Sequence, residues 1–203
     1  MPSLTNCLEA EPVTKSIVCH IGNPRQSKPA TLAEYGKLRE QMIQRDWACL
    51  SEENFIRLVT EKGCPFYGAL MNGRDLMELQ FEKLCWRSQS LVGLDFDDVE
   101  FDVQTVTQWF AKIHKIPPWL VYHTFSHEDG TGVNSFRVLW RAEIDLNLSY
   151  DQVAAALKVL RGLSCDRADK HAANPTRMWQ GTLSGAAFYD PQAPELNIRN
   201  LLQ

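Results

Sequence analysis

The alternation of hydrophobic and polar residues divides the chain into two halves. The first half predicts a strand, two helices and a second strand, at 16–21, 31–45, 51–62 and 65–71. Thr31 and Ser51 carry the side chains that cap helix N-termini, and Gly63 is typical of a residue just beyond a helix C-terminus. These elements predict a small N-terminal α/β module.

The second half predicts a regular order of strand, helix, two strands, helix and strand, at 90–97, 102–115, 119–126, 135–142, 150–162 and 177–182. This βαββαβ order is the ferredoxin-like or RRM-like arrangement, in which the first strand lies in the centre of the sheet. We therefore expect an α+β fold, with an RRM-like module over 90–203 joined to the smaller N-terminal module over 1–89. The fold alone does not decide function, because RNA-binding domains and polymerase palms share it.

Composition and charge argue against several classes of function. The 203 residues carry a net charge of −4, which argues against binding nucleic acid through bulk charge but not against an enzyme with a local basic groove. No apolar run approaches the roughly 18 residues of a membrane span, and the N-terminus lacks a signal-peptide pattern. Six scattered cysteines without a Cys-x-x-Cys pair indicate reduced thiols in a cytoplasm-like compartment. A zinc site at Cys19 and His20 is conceivable, but the spacing does not support it.

The stretch LVGLDFDD carries the strongest chemical signal. Asp95 and Asp97 are two residues apart at the end of an apolar strand, so both carboxylates project from one face. Adjacent carboxylates repel each other, and a hard divalent cation such as Mg²⁺ or Mn²⁺ relieves that repulsion. The alternative is an acidic turn after a core strand. If the metal site exists, replacing Asp95 or Asp97 by alanine should abolish activity and spare the fold.

Three later segments offer residues that can complete a site. YHTFSH places Ser126 and His127 at a strand end, where a histidine can bind a phosphate oxygen or be an exposed turn residue. Arg137 lies between apolar neighbours and needs an anion or a salt bridge across the sheet to one of the aspartates. The third segment, SCDRADKHAANPTRMWQGT, supplies a carboxylate after a helix and three basic side chains, at Asp166, Arg167, Lys170 and Arg177.

Together these motifs resemble the archaeo-eukaryotic primases, the primase-polymerase superfamily, in its phage and plasmid type. LVGLDFDD is similar to the first motif of that family, YHTFSH with FRVLW to the second, and CDRADKHAANPTRMWQGT to the third. The resemblance covers roughly residues 60–185. One departure is that the family's second motif usually reads Ser-x-His, whereas Phe125 stands two residues before His127.

The resemblance implies a DNA primase or DNA polymerase that transfers nucleotides by a two-metal mechanism, in a phage, a plasmid or another mobile element. Two Mg²⁺ or Mn²⁺ ions would be held by Asp95, Asp97 and Asp166. The implied substrates are nucleoside triphosphates and a single-stranded or primed DNA template, a replicative helicase is a candidate partner, and the compartment is the cytoplasm of a bacterial or phage-infected cell. The implied nucleotide-binding residues are Ser126, His127, Arg137, Lys170 and Arg177, and the implied DNA-binding residues are Arg74 and Arg167.

Two other classes remain open at this point. A metal-dependent nuclease or a replication-initiator endonuclease would use similar residues, although the spacing of His123 and His127 does not suit a nicking initiator. A non-catalytic RRM-like module is the other class. It would carry exposed aromatic residues on its central strands, where this chain has Asp95 and Asp97.

Overall fold

A computed structural model describes residues 15–44, 46–71, 82–127 and 134–203. Within these ranges the fold is α+β, as the residue pattern predicts, with two four-stranded sheets and one two-stranded sheet. The named strands pair antiparallel throughout. A search of the described residues finds no helix that combines the length and the apolarity of a membrane span.

The first half contains β1 (Ser16–Ile21), α1 (Leu32–Ile43), β2 (Ala48–Ser51), α2 (Glu52–Thr60), β3 (Phe66–Tyr67), β4 (Ala69–Met71), α3 (Glu82–Cys85) and β5 (Trp86–Gln89). Both predicted caps are present, because the Thr31 and Ser51 side chains each accept a hydrogen bond from the backbone N–H three residues later. Gly63 ends the α2 region with a left-handed φ of +67°. The strand predicted at 65–71 is two short strands separated at Gly68.

The second half contains β6 (Leu91–Val99), α4 (Val103–Gln108), β7 (Leu120–His123), β8 (Asn134–Arg141), α5 (Tyr150–Gly162), β9 (Met178–Trp179) and β10 (Phe188–Tyr189). A π-helical turn, Trp109–Ile113, extends α4. Asp102 caps α4, and Ser149 caps α5 in a capping box with Gln152. The helices therefore begin where the sequence pattern predicts, since their start signals are local.

The sheet of the second half has the order β10-β7-β8-β6. Its register places Asp95 of β6 opposite Arg137 of β8, and Arg137 opposite Tyr122 of β7. These three residues form a polar row across one face of the sheet. The other face is aromatic, with Phe96 and Phe136 stacked at a centroid distance of 5.2 Å. The alternation of strand side chains thus separates the charged face from the aromatic core.

The last predicted strand pairs differently from our expectation. β9 pairs with β3, so the other four-stranded sheet has the order β2-β1-β3-β9 and takes strands from both predicted modules. Among the described residues, β6 is consequently the edge strand of its own sheet and not the central one. Met178 and Trp179 are both buried in this arrangement, so the pairing with β3 is stabilised by apolar burial.

Candidate functional site

The polar row on β6, β8 and β7 is held by direct side-chain contacts. Arg137 Nη2 donates to Asp95 Oδ2 at 2.8 Å, and Arg137 Nη1 donates to Tyr122 Oη at 3.1 Å. The Tyr122 hydroxyl in turn donates to the carbonyl oxygen of Gln180 at 2.9 Å. Asp95 is 4% exposed and Arg137 5% exposed. Their ion pair is therefore buried. It is the salt bridge across the sheet that the sequence suggested as one of two alternatives for Arg137.

A third carboxylate joins Asp95 and Asp97 from the loop after α5. One oxygen atom of each of Asp95, Asp97 and Asp169 lies within 4.8 Å of the others. The backbone N–H of Asp169 donates to the carbonyl oxygen of Asp95 at 2.8 Å, which ties this loop to β6. Asp169 also caps the 3₁₀ turn Lys170–Ala173 through the backbone N–H of His171. The position of Asp169 is therefore fixed by the backbone on both sides.

Arg177 bridges two of these carboxylates. Its Nη2 atom lies 2.8 Å from Asp95 Oδ2, and its Nη1 atom lies 2.8 Å from Asp169 Oδ2. The guanidinium groups of Arg137 and Arg177 also lie over the Trp179 ring, at 4.9 and 5.1 Å from its centroid. Three carboxylates and two guanidinium groups give the cluster a formal charge of −1.

The pKa values of the cluster reflect its crowded negative charge. Partial desolvation, followed by the charges of Asp95 and Asp169, raises the pKa of Asp97. Desolvation also acts to raise the pKa of Asp169, but the His171 amide and the Arg177 guanidinium outweigh it and lower that pKa. Of Asp97 and Asp169, Asp97 is therefore the one whose charge is less well compensated by its neighbours.

The donor set fits a divalent cation. Carboxylate oxygens are the hard ligands that Mg²⁺ and Mn²⁺ prefer. Asp95 Oδ1 is buried and has no hydrogen-bond partner among the described residues, and buried polar atoms normally have one. An added cation would satisfy that atom and would relieve the charge on Asp97.

A cavity of about 610 Å³ opens over the cluster. Asp95, Asp97 and Asp169 form part of its wall, and the remaining charged lining comes from the cationic or ionisable side chains Lys28, Arg39, Arg137, His171 and Arg177. Lys28 and Arg39 belong to the first half of the chain, in the loop after β1 and in α1. Lys28 Nζ donates to Ser126 Oγ at 2.7 Å, so the two halves meet across this cavity.

Asp166 is a correction to the predicted carboxylate set. Cys165 and Asp166 both have positive φ angles, 53° and 57°, which turn the chain at the end of α5. The Asp166 side chain is 70% exposed and pairs with Arg161 Nη1 at 2.8 Å. Asp169, three residues later, is the third carboxylate of the cluster, the position that the sequence predicted for Asp166.

His127 is a second correction. Its ring stacks on His123 at a centroid distance of 3.9 Å, and the backbone N–H of Ser135 donates to its Nδ1 atom at 3.5 Å. Both histidines line a separate cavity of about 630 Å³, together with residues of α4. Odd and even positions on β7 face opposite sides, so His123 points away from Tyr122 and the aspartates. Ser126, in contrast, lines the aspartate cavity.

The remaining predicted residues lie outside the cavity or outside the described part of the chain. Lys170 and Arg167 are exposed, and neither contributes to the cavity lining. Arg137 and Arg177 do line it, but both are already bound to carboxylates. Arg74 falls outside the described residues.

Sequence reasoning missed several residues that line the cavity. Asp169 stands in the same motif as Asp166, but a loop carboxylate gives no local sign that it turns inward. Lys28 and Arg39 come from a loop and a helix whose contact with the second half depends on the pairing of β3 with β9. The available signal was the presence of isolated basic residues in the loop after β1 and within α1, which is weak because such residues are usually solvated.

Comparisons with known proteins give a distant likeness. No protein-family model matches the chain, and no curated protein matches it. Among solved structures, the AEP domain (PP-N190) of the Cyanophage S-2L primase-polymerase (PrimPol) is similar, with 12% sequence identity and a TM-score of 0.46. The match covers 98% of this chain and 92% of that chain. At that identity and TM-score, function has to be inferred from the residues of this chain.

Proposed function

We propose that the chain catalyses template-directed nucleotidyl transfer, as a DNA primase or DNA polymerase of the primase-polymerase type. The observation that carries the proposal is the three-carboxylate cluster in the wall of a cavity lined by cations. The cavity volume lies within the range of small-molecule sites. The three carboxylates belong to the first and third motifs that resemble the superfamily, which supports replication of a phage, plasmid or mobile element as the context.

Asp95, Asp97 and Asp169 would hold the divalent ions, Mg²⁺ or Mn²⁺. Two such ions, when bound, stabilise the charge on the attacking 3′-hydroxyl and on the leaving pyrophosphate. Arg137 keeps Asp95 in position, because its donors are bound to Asp95, to Tyr122 and to the Gln180 carbonyl oxygen. We therefore propose that Arg137 positions the carboxylates. This role replaces the predicted contact between Arg137 and the triphosphate.

Lys28, Arg39 and His171 are the proposed triphosphate ligands. All three line the cavity that contains the aspartates, and charge-assisted bonds to phosphate oxygens are stronger than neutral hydrogen bonds. Ser126 would contribute its hydroxyl group beside Lys28, which it already contacts. Arg167 remains a candidate contact for the DNA template. Base pairing with that template would select the nucleotide.

The RRM-like palm and its boundary at residue 89 also remain proposals. The neighbouring order β6-β8-β7, with α4 between β6 and β7 in the chain, supports three strands of such a palm. β9 departs from it by pairing with β3. Because the cavity takes residues from both modules, we propose that 1–89 and 90–203 together form one catalytic domain.

A metal-dependent nuclease is the second candidate, since the same carboxylate cluster could hold ions for hydrolysis. The cations that line the cavity favour the polymerase, because a hydrolytic site does not need to bind a triphosphate. A non-catalytic RRM-like module has less support. The sheet face that such a module uses for nucleic acid carries Asp95 and Arg137 here.

Primer extension distinguishes these candidates. A 5′-labelled primer annealed to a longer template is incubated with the protein, Mn²⁺ and either deoxynucleoside or ribonucleoside triphosphates. We expect elongation of the labelled strand by the wild-type chain and none by Asp97→Asn, with Lys158→Ala as a control at an exposed basic residue of α5. Shortening of the labelled strand without triphosphates would identify a nuclease, and no change in either assay would contradict a catalytic role.

A further inference from the structure

Arg177 occupies the position of a cation within the carboxylate cluster. Both of its terminal nitrogen atoms are bound to carboxylates, one to Asp95 and the other to Asp169, at 2.8 Å each. These are two of the three residues assigned to the divalent ions. A divalent ion and the Arg177 guanidinium therefore compete for the same two carboxylate groups.

Of the two arginines in the cluster, Arg177 is the one that can leave. The Arg137 side chain is 6% exposed and is anchored additionally by Tyr122 and by the Gln180 carbonyl oxygen. The Arg177 side chain is 19% exposed, and its described hydrogen bonds go to the two carboxylates. Both arginines line the cavity, but displacing Arg137 would leave a buried charge without a partner, whereas Arg177 is the more exposed of the two.

The charges of the cluster explain why such a displacement is favourable when substrate is present. The cluster has a formal charge of −1 with both arginines in place. Divalent ions reverse that sign and repel a guanidinium group that stays among them. A triphosphate brings negative charge into the same cavity, and a guanidinium group can bind it through two parallel hydrogen bonds.

We propose that Arg177 exchanges partners when metal and nucleotide bind. In the metal-free protein it neutralises Asp95 and Asp169, and on metal binding it turns into the cavity and binds the incoming triphosphate. This inference rests on the proposed nucleotidyl transfer. It predicts that Arg177 weakens the binding of metal alone, strengthens the binding of the triphosphate, and so makes the two bind together.

Metal and nucleotide affinities test the exchange separately from activity. Mn²⁺ binding is measured by calorimetry without nucleotide, on the wild-type chain, Arg177→Ala, Arg177→Lys and the control Lys158→Ala, which also removes one positive charge. We expect Arg177→Ala to bind Mn²⁺ at least about tenfold more tightly than the wild type, because a competing cation is gone. The control should match the wild type.

The second measurement is the affinity for a non-hydrolysable deoxynucleoside triphosphate in the presence of Mn²⁺. We expect Arg177→Ala to bind it about tenfold more weakly, and Arg177→Lys to recover part of the loss, since lysine keeps the charge without the paired donors. A purely structural salt bridge would weaken both affinities. Opposite changes in the two affinities therefore identify the exchange.

A measurement on the wild-type chain does not depend on the folding of any Arg177 variant. The Arg177 guanidinium lies 5.1 Å from the Trp179 ring centroid, so its departure should change the fluorescence of Trp179 when Mg²⁺ is added. The change should be absent in Trp179→Phe. No Mg²⁺-dependent change, or Mn²⁺ affinity in Arg177→Ala equal to or below that of the wild type, would overturn the exchange. Absence of Mn²⁺ binding by the wild type would instead overturn the proposed metal site.

Discussion

Replacing Asp95 and Asp97 by alanine, one at a time, should affect the stability of the fold differently, although the sequence predicts the same effect for both. Asp95 is 4% exposed and bound to both Arg137 and Arg177, so its removal leaves the buried Arg137 without its counter-charge. Removing one partner of a buried ion pair typically costs about 3–5 kcal/mol. For a chain of this size that corresponds to a decrease in Tm of roughly 6–20 °C.

Asp97 should behave differently, because its charge is unfavourable in the folded protein. It lies on the exposed side of the cluster, and its raised pKa reflects desolvation and repulsion by Asp95 and Asp169. Asp97→Ala should therefore change the free energy of unfolding by no more than about 0.5 kcal/mol, or stabilise the fold slightly. Both variants should lose primer extension.

Thermal and urea unfolding, followed by circular dichroism in EDTA at neutral pH, measure this difference. Each variant serves as the control for the other, since the substitution is the same and the positions are two residues apart. If Asp95→Ala melts within about 2 °C of Asp97→Ala, the buried ion pairs do not contribute as the structure indicates. The first expectation, that either aspartate can be removed without affecting the fold, would then hold for both.

Four further predictions follow from the site. Asp169→Asn should abolish primer extension in Mn²⁺, whereas Asp166→Asn should retain most of it, because Asp166 is exposed and bound to a surface arginine. Lys28→Ala should weaken triphosphate affinity several-fold in a fluorescence titration, and His127→Ala should have a smaller effect, because it lines the other cavity. Gly93→Ala should lower the free energy of unfolding in urea by about 1–3 kcal/mol, because a Cβ atom there would lie 2.7 Å from Leu139 Cδ2. Fluorescence anisotropy at two salt concentrations should show weak binding of primed DNA by the free protein, which carries a net charge of −4, and much tighter binding once Mn²⁺ and a matching nucleotide are added.

The features that the sequence predicted correctly are those set by nearby residues. The caps at Thr31, Ser51 and Ser149 require a side chain and a backbone N–H three residues later, so they can be identified from a few letters. The strands β6 and β8 were identified from their own apolar residues. Asp95 and Asp97 were found because their spacing along a strand determines the face on which they lie.

The features that it did not predict depend on contacts between distant segments. The left-handed turn at Cys165 and Asp166 is not encoded by a glycine, so the turn that carries Asp169 inward gave no signal. The orientation of His127 depends on its stacking with His123 on the far side of β7. The strand predicted at 177–182 is the two-residue β9, and its own sequence does not indicate that it pairs with β3.

The position of β9 means that the carboxylate cluster also connects the two four-stranded sheets. Arg177 directly precedes β9, which pairs with β3 in the first sheet, whereas Asp95 lies on β6 in the second sheet. The ion pair between Arg177 and Asp95 therefore joins the two sheets at the floor of the cavity. A ligand that separates Arg177 from Asp95 would break this contact between the two sheets. Binding of metal and triphosphate should consequently alter the contact between the two sheets.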